Sequence, residues 1–266
     1  MRDPRRRNRN IGTSKQGHGQ DNRMVIPKFW DKCGRVYYGQ LKSPRKMALN
    51  AGLHLLVEPT LPDFFHPCVP QEIVDVLVAL PRLDVCDIKA IVLRQPTRNQ
   101  HQLRPVWGRL QYFSDMGRYC GPAIFLEAQT VSPLRWGKKL NKEDENELER
   151  LESDGHRIEH RRRDILIHST PEAMVRTQLY RTLPHEIGHY VDYLEKVARP
   201  AGDDHELWDK LWTRYHSRPV REKEEFANAY AAKVRHKVAY PIRDKEQRLI
   251  SAEGMELDAE WFFLAN

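Results

Sequence analysis

The sequence has no long apolar run. Stretches such as Ile73 to Leu80 are broken by Asp75 and fall far short of the roughly 20 apolar residues that a membrane-crossing helix needs, so no membrane embedding is expected. The opening residues, Met1 to Asn10 (MRDPRRRNRN), are basic, but no apolar stretch follows them, and a secretory signal is not predicted. Cysteine is scarce. Cys33, Cys68, Cys86 and Cys120 stand without CxxC spacing, which argues against a disulfide framework or a thiolate metal site and for reduced thiols in a cytoplasmic setting. No internal repeat is visible.

What is present describes a globular chain. With 266 residues, 40% hydrophobic and 30% charged, it can bury a core in one large domain or two small ones. The net charge of +7 is unevenly spread: Arg2, Arg5, Arg6, Arg7 and Arg9 against Asp3 put +4 into the first ten residues, leaving an unexceptional +3 elsewhere. Such a leader can hold loosely to nucleic acid or another polyanion, but it lacks interleaved aromatics and reads more simply as a solvated tail.

Four regions are expected. Residues 1–26 form a disordered basic leader, 27–169 an α+β part holding a small twisted sheet, 170–240 a helical part, and 241–266 a segment packing back. In the second region Gln71 to Leu80 has helical spacing. Ile88 to Leu93, Val106 to Phe113 and Ala123 to Ala128 read as strands, with Asp164 to Ile167 as a fourth. Between them Lys138 to Arg163 reads as an exposed helix plus loop. Ser169, Thr170, Pro171 and Glu172 are a helix-start signature. Asp204 to Tyr215 forms an amphipathic helix behind an Asp cap, and another begins near Arg221.

The chemistry concentrates in His185-Glu186-Ile187-Gly188-His189, an HExxH motif. Residues four apart lie one turn apart on one helix face, so two imidazoles can grip one ion. At about 100° per residue, Glu186 falls at the edge of that face. There it can act as general base on a water that Zn²⁺ acidifies. Ile187 and Gly188 are uncharged, and Gly188 removes bulk close to the proposed metal. Pro184 inside the helix predicts either a kink or a restart with Thr182 as cap.

A catalytic zinc needs a third protein ligand and an open position. A metzincin arrangement is excluded, because Glu195 and Asp192 occupy the positions where that pattern needs His and Gly. Three acids remain further on. With the stripe of Phe226, Ala227, Tyr230, Ala231 and Val234 as reference, Glu225 projects about 170° away, against about 110° for Glu222 and about 90° for Glu224. Glu224 stands beside Ala227 and Ala231, small enough to admit a second helix, whereas Glu222 stands beside Phe226. Glu224 is therefore the expected ligand. Asp192 is the expected orienting partner of a ligand imidazole.

HEIGHYVDYLE, followed about 35 residues later by EEFANAYA, resembles the gluzincin metallopeptidases, in particular lethal-factor-like and ImmA/IrrE-type enzymes. The lethal-factor-like pattern HExGHxxD plus ExFAxAF matches at His185, Glu186, Gly188, His189, Asp192, Glu224, Phe226, Ala227 and Ala229, with Tyr230 for the last Phe. The ImmA/IrrE-like ExxAN matches at Glu224, Ala227 and Asn228. The resemblance spans roughly residues 170–238. It implies a zinc peptidase acting on peptides or proteins, and an oxyanion donor shortly before the Glu ligand, where Tyr215 and His216 are the nearest residues. Sites of this type commonly bind extended peptide on a sheet edge, for which Ala123 to Ala128 is the candidate, although an ordinary sheet strand is the simpler reading of it. Two other readings compete: a regulatory or nucleic-acid-associated protein of mobile-element type retaining the fold, and a structural zinc site.

Overall fold

A computed structural model describes Leu41 and residues 44–48, 53–103, 105–116, 119–235 and 257–263. The basic leader, and with it the expected nucleic-acid contact, lies outside the described residues, as does most of the segment 241–266. Among the described residues no helix is long and apolar enough to cross a membrane.

The architecture is α+β, with sheet structure in the N-terminal half and helices in the C-terminal half. Five strands, β1 (Arg45–Ala48), β2 (His54–Val57), β3 (Ala90–Arg94), β4 (Gly108–Met116) and β5 (Tyr119–Glu127), form one sheet in the order β1-β2-β3-β5-β4. β3 runs parallel to both β2 and β5, while β1 and β4 are antiparallel to their neighbours. Every residue of β3 is buried, as is the run Ala123 to Leu126 of β5, and these are the continuous apolar runs expected of strands covered on both faces.

This order makes Ala123 to Ala128 an ordinary interior strand and removes it as the candidate edge. β5 is interior because β4 turns back onto its outer side, and β4 is the edge strand next to the helical half. Nor is there a single sheet. β6 (Leu134–Gly137), β7 (Arg157–His160) and β8 (Asp164–His168) form a separate antiparallel sheet in the order β6-β8-β7. The expected loop after the charged helix is therefore partly strand, β7, paired to β8 with Ile158 opposite Ile167.

Helices follow their local signals. α1 (Pro70–Val78) buries Ile73, Val76 and Leu77 on the larger sheet. α2 (Lys142–Asp154) opens with a capping box, Asn141 Oδ1 accepting from Asp144 N–H at 2.8 Å, and stops at Gly155, whose φ of 101° is left-handed. Its Leu148 and Leu151 pack on Ile165 and Ile167 of β8. α3 (Pro171–Thr177) starts where expected, Thr170 Oγ1 accepting from Ala173 N–H.

From α3 the chain stays helical through Ala201. A π-turn at Gln178–Thr182 leads into α4 (Leu183–Tyr193), and a second at Leu194–Ala198 follows it. Thr182 is not a cap: its backbone is helical (φ −68°, ψ −50°) and its hydroxyl donates to Thr177 O at 2.9 Å. The helix carries Pro184 by a different device. Leu183 N–H donates five residues back to Gln178 O, and this widened turn sits where the proline ring would otherwise crowd the carbonyl one turn behind. Gln178, fully buried, clamps the turn to the sheet by donating to Trp107 O and Glu127 O, both at 2.8 Å.

α5 (His205–Ser217), capped by Asp204 on Leu207 N–H, and α6 (Val220–Arg235) complete the helical half. From the C-terminal segment, Leu257 and Phe262 enter the main core, and His66 N–H donates to Trp261 O at 2.7 Å.

Candidate metal centre

α4 and α6 cross at two small residues. A Cβ on Gly188 would stand 2.9 Å from Ala227 Cα, 3.0 Å from Ala227 O and 3.0 Å from Tyr230 Cβ. The absent side chain thus serves the neighbouring helix rather than the metal directly: it lets α6 come close enough for Glu224 to reach α4. Ala227 is fully buried in that contact and Ala231 nearly so.

The approach brings His185, His189 and Glu224 together, with one ligand atom from each inside 4.8 Å of the others, a group that could hold a metal ion. His185 Nε2 lies 3.3 Å from Glu224 Oε2, and His189 Nε2 lies 3.3 Å from Glu224 Oε1. The two rings stand at 89° to each other. Ligands at about 2.0–2.1 Å from a tetrahedral ion are separated by about 3.3–3.4 Å, and each imidazole meets a different Glu224 oxygen at close to that distance.

Protonation supports the same fit. His185 Nδ1 lies 3.1 Å from Asn228 Oδ1. An amide oxygen only accepts, so Nδ1 carries the hydrogen, and neutral His185 turns the Nε2 lone pair towards a carboxylate oxygen. Two electron-rich atoms facing each other need a positive charge between them, either a proton or a metal. The shifts report that demand. Burial of His185 opposes its charge, but Glu224 and Glu186 outweigh burial and raise its pKa; hydrogen bonds from His185 and His189 hold the Glu224 carboxyl far below the usual carboxylate range.

Glu186 is held from the other side. Its Oε2 accepts Leu110 N–H of edge strand β4 at 2.7 Å, fixing the carboxylate between helix and sheet. The side chain of Glu224 is 47% exposed, while those of His185 and His189 are 18% and 15% exposed. The group is thus open on the α6 side. It faces a cavity of about 330 Å³ whose walls include Trp107, Leu134 and Trp136, and Glu186 lies in the same wall as His185 and Glu224.

The remaining expected residues occupy other positions. Asp192 is fully buried, but Lys196 Nζ (2.6 Å) and Arg218 Nη1 (2.8 Å) take its two oxygens; the contact orienting a ligand imidazole is made by Asn228 instead. Tyr215 is buried, its hydroxyl 3.0 Å from that of Tyr112 and 3.5 Å from His189 O. Burial pushes its pKa up to about 12, with Asp192 adding to the rise. His216 is exposed, its ring edge-on to Trp212 at 4.0 Å, and partial burial and Lys223 lower its pKa.

The residues that sequence reasoning passed over are the Leu110 amide and Tyr112 on β4, and Asn228 as an orienting group. The first two are backbone and strand-face features with no motif. Asn228 was visible one turn after Glu224 in the ExxAN match. Comparison with protein-family models found no match, and comparison with curated proteins and with solved structures likewise found none.

Proposed function

We propose that this chain is a zinc-dependent peptidase in which His185, His189 and Glu224 hold the metal and Glu186 is the general base. The observation that carries the reading is the convergence of ligand atoms of His185, His189 and Glu224 within 4.8 Å of one another, with Glu186 anchored beside them by the Leu110 amide. Zn²⁺ supplies Lewis acidity there, polarising a scissile carbonyl and acidifying a water molecule.

The residues of the chain do the rest. With Oε2 engaged by Leu110, Glu186 Oε1 takes the proton from the attacking water and returns it to the leaving amine. Asn228 Oδ1 keeps hydrogen on His185 Nδ1, so that Nε2 stays free to bind. β4, the edge strand beside α4, offers extended peptide a strand to pair with on either side of Leu110, whose own N–H is taken by Glu186. Three protein ligands, a half-exposed Glu224 and an adjoining cavity favour a catalytic site over a structural one, which normally closes with four protein ligands.

The test is metal content together with one conservative variant. Purified protein should carry close to one zinc per chain and cleave a mixed peptide pool. Glu186→Gln should retain zinc and lose hydrolysis by about 10²- to 10⁴-fold. Metal-free protein at saturating zinc, or a Glu186→Gln variant as active as wild type, refutes the mechanism.

A further inference from the structure

The cleft beside Glu224 contains an arginine that the proposed chemistry does not use. Arg150, on α2, lines the cavity of about 330 Å³ next to His185 and Glu186. It also lines a second cavity, of about 590 Å³, bounded by the first turns of α2 and α6. Glu224 and Asn228 belong to both walls. Arg150 therefore stands where the two cavities meet, opposite the ligand-bearing face of α6.

One of the five N–H groups of its guanidinium is engaged. Nε donates to Glu147 Oε2 at 2.9 Å, whereas the two terminal amino groups have no protein partner among the described residues. What holds it is a chain of ion pairs that runs inward to the buried Asp154. Glu147 is gripped by Arg181 Nη1 at 2.8 and 2.9 Å, and Arg181 Nε is held by Asp154 at 2.7 Å. Asp154 is fully buried and also accepts from Thr177 Oγ1. Arg235 approaches Asp154 at 3.6 Å. Such networks seldom add stability, because desolvation offsets the attraction, but they fix position. Three arginines against two carboxylates leave one unit of positive charge, and Arg150, which lines both cavities, is its part nearest the first turn of α6.

A planar fork with free N–H groups, fixed beside a site for an acyl group, matches a carboxylate. Resting on the peptidase reading, we propose that Arg150 determines specificity by binding a substrate carboxylate next to the scissile bond, supplied by an acidic side chain or by the free C-terminus.

The test uses full-length Glu186→Gln protein loaded with zinc and labelled peptides in matched pairs, Glu against Gln beside the central bond and free acid against C-terminal amide, with binding read by fluorescence anisotropy. Removing one of the two carboxylates should weaken binding by about 10- to 100-fold, and which pair responds identifies the source. Adding Arg150→Gln should reduce that preference to within about twofold. Arg150→Lys, which keeps the charge but not the fork, should lose at least about fivefold of it and decides the matter if Arg150→Gln does not fold.

Equal binding within both pairs, no binding by any peptide, or a preference that survives loss of Arg150 overturns the proposal. Hydrolysis of the neutral peptides by wild type is scored separately. Cleavage without carboxylate preference removes Arg150 and leaves the peptidase, while carboxylate-dependent binding without cleavage of any peptide leaves Arg150 and removes the peptidase.

Discussion

Gly188→Ala sets two effects of opposite sign against each other. In an isolated helix the change would stabilise by up to about 1 kcal/mol, because alanine is the better helix former. Here the new Cβ would lie 2.9 Å from Ala227 Cα and 3.0 Å from Ala227 O, against an ordinary contact of at least 3.4 Å. Backbone cannot rotate away, so α4 and α6 must separate by roughly 0.5 Å or more. Overpacking of this kind costs about 1–3 kcal/mol, which cancels or exceeds the propensity gain. The same displacement carries Glu224 away from His185 and His189, and 0.5 Å exceeds the roughly 0.2 Å tolerance of metal–ligand distances. The variant should therefore fold with unchanged or lower Tm while its zinc affinity, measured by competition with a chromophoric chelator, falls by about tenfold or more. A higher Tm with wild-type zinc affinity would refute the close-crossing argument.

Asn228→Ala should leave the fold intact and lower zinc affinity by about 10- to 100-fold in the same competition assay, because His185 loses the partner that sets its tautomer. Asp192→Ala removes the buried carboxylate between Lys196 and Arg218, and denaturant titration should show about 3 kcal/mol lost. Acid should destabilise the protein through His66, which burial holds at about 4 against 6.5 when unfolded. Its stabilising contribution is complete above about pH 6.5 and is lost as pH falls towards 4, so this residue alone should account for about 2 kcal/mol between pH 7.5 and 5. In His66→Phe the urea midpoint should change less over that interval, and an unaltered pH slope would rule the residue out.

The grouping of His185, His189 and Glu224 was legible because helical spacing is short-range. Two histidines four apart share a face whatever surrounds them, and Glu224 stood apart from Glu222 through its alanine neighbours. Sheet order is not short-range. The chain visits β3, β4 and β5 in turn, but in space β5 lies between the other two. A local signal was nevertheless present: Ile91 to Leu93 and Ala123 to Leu126 are continuous apolar runs, as strands covered on both faces are, whereas Arg109 to Tyr112 mixes polar and apolar residues as an edge does. The four-residue strands β1, β2, β6 and β7 are too short to show a period. The π-turn before Pro184 could not be read either, since a bond to the fifth residue back leaves no repeat in the sequence.

That π-turn makes the long helix a rod with two phases. One residue more than an α-helical turn requires shifts everything after it by about 100° relative to everything before. Gln178 can therefore point at the sheet and hold Trp107 and Glu127, while His185 and His189, further along the same rod, point at α6. A straight α-helix could keep only one of these appointments. Losing a single residue between Gln178 and Thr182 would restore the regular winding and leave the imidazoles facing Glu224, whereas regular winding with every residue kept would turn them about 100° out of line.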